Sequence, residues 1–555
     1  MVESLSRALS LPPVFCRVLA HRGFGDADAA RAYLRPLATH IHPPTLLAGM
    51  AAAVDRLSAA VRQGETILVH GDYDVDGICA AALYVRALRM MGARAEAFVP
   101  HRLKDGYDLS DAGIGAAAAA GASLILTGDC GIVAHEAVDA AVAAGIDVIV
   151  TDHHTPGDTL PAAVAVVNPN RADCDYPDKG LAGAGVAYKV CCALAEELAF
   201  PLERLACFLD LVAIATIADL APLTTENRAL VRWGLSILPG TPNPGLRALL
   251  SATGLSGRGS ISAGEVGYVL APRINAVGRM GEALRGVRLL LTDDPTEARQ
   301  IAATLEDENR WRREVDARTL REAMTMLESD FDPERDRGVV LASAAWHPGV
   351  IGIVASRVAE RTHRPTVLVA LGENEGKGSG RSIPGFHLYD AMRACSEHLT
   401  RFGGHRAAAG CSLLPSRLDG FRAAFDAHAR AVLHDDQLVP EVRIDLEVAL
   451  AEVDAGLYRL LEHAAPFGVG NPTPVFAARG LRVAGAPKVV GTKHLRLTLA
   501  AADARLEAIG FGMGSRIGEV GGADAAIDVA FRLEENSWNG RTTLQAKILD
   551  LRASE

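Results

Sequence analysis

Residues 65–77 read ETILVHGDYDVDG, and this stretch decides the fold. Glu65–His70 is a short aliphatic run of the kind that forms a strand buried on both faces, as strands of parallel sheets are. The loop that follows, His70-Gly71-Asp72-Tyr73-Asp74-Val75-Asp76-Gly77, opens on a histidine and holds three aspartates between two glycines. From Ile78 to Met91, alanine and aliphatic residues read as a helix. Strand, tight loop and helix make the first half of a βαβ unit. In such sheets ligands gather beyond the carboxyl ends of the strands.

The same alternation continues outward. Ala93–Pro100, Ser123–Thr127, Asp147–Thr151 and Ala163–Asn168 read as further strands, with helices over Asp111–Ala120 and Ala134–Ala144. This predicts a doubly wound parallel sheet within a domain spanning 65–295. Helices dominate from Ala182 to about Ser251, including the apolar stretch Leu205–Leu223, whose Asp210, Asp219 and Pro222 argue for a buried helix over a membrane span. Residues 1–64 form an alanine-rich helical segment. A charged stretch without proline or glycine predicts a connector helix over 296–330, with Arg310, Arg312 and Arg313 on a solvated face. A second α/β domain is expected over 331–435, from the strands Gly338–Ala344 and Pro365–Leu371 and a helix over Val350–Arg361. Short alternating runs such as His494–Ala500 and Thr542–Leu551 predict a small β-barrel over 436–555.

With 555 residues, the chain has room for about three to five domains. Aromatic residues are only 5%, so alanine and aliphatic side chains must fill the cores. A net charge of −11 disfavours a polyanion binder of the histone kind but leaves room for a local basic groove, and it suits a site that concentrates carboxylates around cations. Nine cysteines without a CxxC pair read as reduced thiols with no zinc framework. No basic-then-apolar leader opens the chain, so a cytoplasmic protein with no membrane association is expected.

Three strand ends supply the chemistry. The first delivers the acidic loop, Ser123–Thr127 runs into Gly128-Asp129-Cys130-Gly131, and Asp147–Thr151 into Asp152-His153-His154. Asp219, in IADLAPL, adds a carboxylate at a helix end. A single acidic loop could be a solvated turn. Several strand ends converging on one crevice would repel one another unless cations compensate. Oxygen-rich donors with imidazole suit Mn2+, with Mg2+ as the alternative, and the carboxylate count favours two ions about 3.5–4 Å apart, as in two-metal phosphoester hydrolysis.

HGDYDVDG, GDCG and DHH resemble the motifs of the DHH phosphoesterase superfamily, and Gly403-Gly404-His405-Arg406-Ala407-Ala408-Ala409-Gly410 resembles the GGHxxAAG signature of its DHHA1 domain. The stretches Pro272–Met280, Trp346–Ala355, Gly378–Ser382 and Pro466–Pro472 are similar to patterns of the superfamily's single-stranded-DNA exonuclease branch. The resemblance implies two α/β domains joined by a long helix, DHH and then DHHA1, and a C-terminal OB-fold barrel. It implies that His70, Asp74 and Asp129 bind one ion and that Asp76, Asp129, His153 and Asp219 bind the other. Asp72 would then sit behind the ligands, Asp152 would orient a histidine, and His154 would contact the scissile phosphate.

For the substrate, Arg102, Ser379 and Arg381 are the expected pocket for a terminal 5′-phosphate, meeting across a cleft between the α/β domains. Gly376, Gly378 and Gly380 would allow close approach of the backbone to phosphate. Arg273, Asn275, Arg279 and His405 are expected to contact the strand. In the barrel, Lys488, Lys493, His494 and Arg496 would supply charge, and Phe511 or Trp538 a stacking surface. The resemblance thus predicts a 5′-to-3′ exonuclease on single-stranded DNA that releases 5′-mononucleotides in repair and recombination, working with a helicase and a single-strand-binding protein. Rival readings are a DHH hydrolase of short oligoribonucleotides or cyclic dinucleotides, a pyrophosphatase, and a non-catalytic replication scaffold.

Overall fold

The computed structural model describes residues 1–101, 105–106, 108–280, 283–520, 526–538 and 541–554. The chain forms two compact units. One comprises Met1–Pro272, Ala283–Arg299 and Val442–Glu555, and the other Arg273–Glu282 and Gln300–Glu441.

In the first unit, helices α1 (Val2–Leu9), α2 (Pro13–His21), α3 (Ala27–Leu34) and α4 (Met50–Gln63) precede a parallel sheet. Its strands are β1 (Thr66–Gly71), β2 (Arg94–Phe98), β3 (Leu124–Gly128), β4 (Asp147–Thr151) and β5 (Ala165–Val167), in the order β2-β1-β3-β4-β5. The connecting helices are α5 (Val75–Met90), α6 (Asp111–Ala119) and α7 (His135–Ala143). The chain winds outward in both directions from β1 and β3, so a crevice opens between their carboxyl ends. Register brings those ends level, with His70 opposite Thr127 and Gly71 opposite Gly128. Helices α6 and α7 cover one face through Ala117, Val138 and Ala141. Helix α5 is apolar nearly all round because it is enclosed by the sheet, α8 (Gly183–Glu197) and α9 (Leu209–Ala218). The apolar stretch read as a buried helix is α9, in which every residue from Leu209 to Ile217 is buried. Helix α10 (Thr225–Ile237) follows it.

The N-terminal helices are tied to this body by buried polar groups. Glu226, at the start of α10, pairs with Lys189 of α8 and accepts hydrogen bonds from the Tyr176 hydroxyl and the His42 amide, while Lys189 donates to the His42 carbonyl. Both charged side chains are almost wholly excluded from solvent.

The C-terminal strands of this unit are β11 (Leu446–Glu447), β12 (Phe476–Val483), β13 (Lys488–Val490), β14 (His494–Ala501), β15 (Ala504–Gly510), β16 (Ile527–Trp538) and β17 (Arg541–Ala553). The order β12-β16-β17-β15-β14, with β15 and β17 parallel, curls into an OB-fold barrel, and a seam of two residue pairs joins β12 to β14. Inward residues such as Leu495, Leu497, Phe476 and Phe531 form a core continuous with α1–α3.

The second unit holds a mixed sheet of β6 (Val339–Ser343), β7 (Thr366–Leu371), β8 (Gly376–Arg381), β9 (Arg401–Gly404) and β10 (Ala408–Leu413), in the order β6-β7-β8-β10-β9. Only β6 and β7 are parallel, joined by the helix Ile351–Thr362. The glycine-rich segment Gly376–Arg381 is strand β8, and its glycines also serve packing. Added Cβ atoms would lie 3.0 Å from Val369 at Gly376, 2.4 Å from the Cys411 sulfur at Gly378 and 3.0 Å from Leu388 at Gly380. On the long helix Pro295–Asp330, Arg310 is exposed, but Arg312 is not on a solvated face. Asn309, Arg312 and Asp316 share one helical stripe, and Arg312 donates to Asn309 at 2.9 Å.

Among the described residues no helix is long and apolar enough to cross a membrane, and all nine cysteines are free thiols.

Replacing Glu226 with Ala strands the Lys189 ammonium without a counter-charge. Urea unfolding followed by circular dichroism should show a loss of about 3–5 kcal/mol. A loss indistinguishable from zero would mean the pair does not anchor this unit.

Candidate metal centre

Local backbone features place each carboxylate. Gly71 and Gly77 let the acidic loop fold onto the first turn of α5, since a Cβ at Gly77 would lie 2.3 Å from the Asp72 amide nitrogen. Asp74 caps α5, its Oδ1 accepting from the amides of Asp76 (2.9 Å) and Gly77 (3.2 Å). Asp76 turns to the N-terminus of α8, where its two oxygens accept from the amides of Gly183 and Ala184, each at 2.7 Å. Asp129 follows β3 in the left-handed region at φ 69°, and a side chain on Gly183 would come within 2.6 Å of its Cβ. The glycine that starts α8 therefore permits Asp129 to sit beside Asp76. Asp219 follows the last residue of α9, where the chain turns.

The two histidines are aimed from behind. The buried Asp152 carboxylate accepts from the amides of Ile132 (3.0 Å), His153 (2.7 Å) and His154 (3.0 Å) and holds the His154 ring through Nδ1 at 2.7 Å. The carbonyls of His153 and His154 accept from Asn170 (2.6 Å) and Asn168 (2.9 Å). Sequence reading missed both asparagines. Their signal was the NPN that follows β5, polar residues at a strand end beside the other three.

The result is a cluster. His153 Nε2 lies 3.0 Å from Asp129 Oδ1 and 3.7 Å from both Asp76 Oδ2 and Asp219 Oδ2. Three groups have ligand atoms all within 4.8 Å of one another: Asp76, His153 and Asp219; Asp72, Asp74 and Asp129; and Asp129, His153 and His154. Asp72 is therefore also a candidate ligand. His70 joins no such group among the described residues. It is wholly buried on β1, its ring tilted against Phe98 at 5.2 Å and its Nδ1 3.5 Å from the Cys130 sulfur.

Electrostatics agree with the geometry. Burial, then the charges of Asp76, Asp74 and Asp72, hold Asp129 well above the usual carboxylate range. Burial and the charge of Asp74 push Asp76 up to about 7, against the pull of the α8 amides. Burial and the charges of Asp76 and Asp74 take Asp219 to about 8. Burial lowers His153 to about 4. For His154 burial also disfavours the charged ring, but the bond and charge of Asp152 prevail and raise it to about 9. His153 Nε2 and Asp129 Oδ1 are buried without hydrogen-bond partners among the described residues. Such orphans cost about 1–3 kcal/mol each, and a cation between them would satisfy both. Oxygen donors with one imidazole fit a hard or borderline divalent cation.

In the second unit, Ser379 and Arg381 stand together on β8, Arg381 Nη1 donating to Ser379 Oγ at 3.2 Å. Both abut Gly352 in the first turn of the helix Ile351–Thr362, where a Cβ would lie 2.8 Å from Ser379 Oγ and 2.9 Å from Arg381 Nη2. Guanidinium, hydroxyl and helix N-terminus form a natural anion cradle. Arg273 is salt-bridged to Glu306, and Arg279 approaches the Gly349 carbonyl at 3.5 Å. Asn275 is half-buried on the helix Ala271–Met280, which also carries Arg273 and Arg279. His405 is exposed at the turn between β9 and β10. Arg102 and the side chain of Trp538 lie outside the described residues.

On the barrel, Phe511 is 50% exposed, edge-on to His494 at 5.1 Å and beneath Lys547 Nζ at 5.4 Å. Lys493 is exposed beside His494, and Lys488 pairs in register with Arg496 across β13 and β14. Lys547 was not anticipated, because β17 reaches this face only through its parallel pairing with β15.

A parallel sheet whose strand ends converge acids and a histidine pair is the arrangement of the DHH phosphoesterases. The model of the DHH family N-terminal domain matches residues 66–216, that of the DHHA1 domain 336–431 and that of the RecJ OB domain 444–550. The single-stranded-DNA-specific exonuclease RecJ of Dickeya dadantii is 39% identical over 97% of this chain and 96% of its own length, and that of Escherichia coli is 37% identical over 98% and 97%. The crystal structure of RecJ from Thermus thermophilus in complex with Mn2+ superposes with a TM-score of 0.85 at 35% identity, over 100% of this chain and 78% of that one. The chain belongs to the RecJ family.

Asp129→Asn removes one of several mutually repelling charges. It should raise the stability of the metal-free protein by on the order of 1 kcal/mol while abolishing stabilisation by Mn2+. Thermal melts with and without Mn2+ read both effects, and an undiminished Mn2+ shift in the variant would contradict the cluster.

Proposed function

We propose that this chain hydrolyses single-stranded DNA from its 5′ end and releases 5′-mononucleotides, with two divalent cations, Mn2+ favoured. The observation that carries this reading is the convergence of Asp76, Asp129, His153 and Asp219 on one buried cluster of carboxylates and imidazole, in a chain that also bears an anion cradle and an OB-fold barrel. Asp76, Asp129, His153 and Asp219 would hold one ion, and Asp72, Asp74 and Asp129 the other, with Asp129 shared. Bound there, such ions activate water and offset charge on the attacked phosphate. No group in the cluster needs to form a covalent intermediate.

The chain's own residues do the rest. Asp152 fixes the His154 ring through Nδ1, so that the ring would present its other nitrogen to the scissile phosphate. Asn168 and Asn170 keep both histidine peptides from rotating. Arg381 and Ser379, with the helix start at Gly352, select a terminal phosphate, which carries more charge than an internal diester. Arg273, Asn275, Arg279 and His405 would contact the strand, with Arg273 exchanging Glu306 for phosphate. Phe511, beneath Lys547 and beside Lys493 and His494, gives the barrel a stacking face for unpaired bases. A helicase to open duplex and a single-strand-binding protein are the partners such a reaction calls for, in DNA repair and recombination.

Digestion of 5′-labelled and 3′-labelled single strands with Mn2+, Mg2+ or EDTA tests the reading. Labelled mononucleotide should appear first from the 5′-labelled strand and not at all in EDTA. Release from the 3′ label first would reverse the assigned polarity. Arg381→Ala should reduce the preference for a 5′-phosphorylated end by roughly 10- to 100-fold, the worth of a charge-assisted bond, with Mn2+ binding unchanged.

Phe511→Ala should weaken binding of long single strands by about 1–3 kcal/mol in an anisotropy titration, with little effect on oligomers too short to reach the barrel. An equal loss on both lengths would place Phe511 elsewhere than on a strand path.

A further inference from the structure

Asp219 differs from the other members of the cluster. Asp74 caps its own helix and Asp76 is held by two amides, whereas the Asp219 carboxylate is approached by His153 Nε2, at 3.7 Å, and by no backbone amide among the described residues. Its position therefore depends on the backbone that follows α9. That backbone turns sharply, Leu220 adopting φ 59° while the Ala221 amide donates back to the Thr216 carbonyl at 3.1 Å. Two contacts then hold residues 221–224. Asn227 of α10 donates to the Pro222 carbonyl at 3.1 Å. From the other side, the Leu223 amide donates to the Val469 carbonyl at 2.7 Å.

Val469 lies in Pro466–Pro472, PFGVGNP, a motif that supplies no ligand to the metal cluster and whose Phe467 packs against the core shared by the barrel and α1–α3. Its glycines fit the Asp219 turn closely. A Cβ at Gly468 would lie 2.7 Å from Leu223 Cδ1, and one at Gly470 would lie 3.0 Å from Thr224 and 3.3 Å from Pro222. Asn471, only 4% exposed, builds the loop. Its amide donates to the carbonyls of Pro466 (2.7 Å) and Ala464 (3.1 Å), and its Oδ1 accepts from the Tyr33 hydroxyl (2.9 Å) and Arg22 Nη1 (2.8 Å). All four hydrogen-bonding positions of the side chain are used. Arg228 of α10 closes the hub. It stacks on the Tyr33 ring at 4.0 Å and donates to the carbonyls of Tyr33 (2.8 Å) and Ala465 (2.9 Å).

We propose that the loop Pro466–Pro472, held by Asn471, positions Asp219 for metal binding, and that the N-terminal helices act in the reaction through it. Asn471, Tyr33, Arg22 and Arg228 are then positioning residues, several bonds from any ligand, and residues 1–64 have a role in the metal site. The hub is rigid because each polar atom of Asn471 is satisfied in a dry setting, so removing that side chain frees the turn without touching a ligand.

The test uses the full chain with Asn471→Ala. Binding of Mn2+ is read from the electron paramagnetic resonance signal of free Mn2+, alongside nuclease activity as a function of Mn2+ concentration. Apparent Mn2+ affinity should fall about tenfold, as for other residues that orient metal ligands from behind. The rate at saturating Mn2+ and the KM for single strands should stay near the wild-type values. Arg22→Gln, which removes the bonds of Arg22 to Asn471, to the Pro472 carbonyl and to the Asp445 carboxylate, should shift the same curves in the same direction, and it decides the matter if Asn471→Ala does not fold. Wild-type Mn2+ isotherms in the folded variants, with only a lower metal-free melting temperature, would overturn the proposal and leave the loop a scaffold. The inference rests on reading Asp219 as a metal ligand. Failure of the wild-type protein to bind Mn2+ would sink that reading, a result distinct from unaltered binding in the variants.

Discussion

The structure is organised around a repulsion. Asp72, Asp74, Asp76, Asp129 and Asp219 are carried to one place by separate segments, and burial raises the cost of every negative charge there. The main charges acting on Asp76, Asp129 and Asp219 are those of other aspartates and of His154, with no arginine or lysine among them. Such an arrangement persists only if the surrounding fold over-determines it, and the fold does so with backbone amides. The start of α8 grips Asp76, the start of α5 is capped by Asp74, and Asp152 is locked by three amides and an imidazole. The stored electrostatic tension is what gives the site its appetite for divalent cations.

Rigidity is distributed to match. The acids on the sheet side inherit their precision from strands whose register is fixed by paired ladders on both sides. Asp219 belongs to no strand, and the loop that steadies it borrows its stiffness from segments more than two hundred residues away in sequence. The barrel and the N-terminal helices share one core, so the brace of this turn and the proposed path of the strand over Phe511 belong to the same packed body.

Much of this was legible from residue order. Strand runs ending in HGDYDVDG, GDCG and DHH could only bring their acids together in a parallel sheet, because parallel strands point all their carboxyl ends the same way. The packing role of the glycines in Gly376–Arg381 was not legible, because only the Cys411, Val369 and Leu388 side chains packed over them show that small residues are needed in this strand. Arg312 likewise looked solvated because the partners that bury it, Asn309 and Asp316, are themselves polar. Spacing alone did not bring out the grouping of Asp72 with Asp74 and Asp129, or the packing of His70 against Phe98, because both are made by neighbours that meet only in the fold.

By itself the sequence determined the parallel sheet, the barrel and the family to which the chain belongs, and it picked out most of the acids and histidines proposed for the centre, since all of these follow from periodicity and from local motifs that carry their own geometry. Tertiary structure alone decided which oxygens face one another, that Asn168 and Asn170 hold the histidine peptides, that Lys547 joins Phe511, and that Asn471 stands behind Asp219. Those are contacts between segments far apart along the chain, and no local pattern encodes a distance that exists only after the chain has folded.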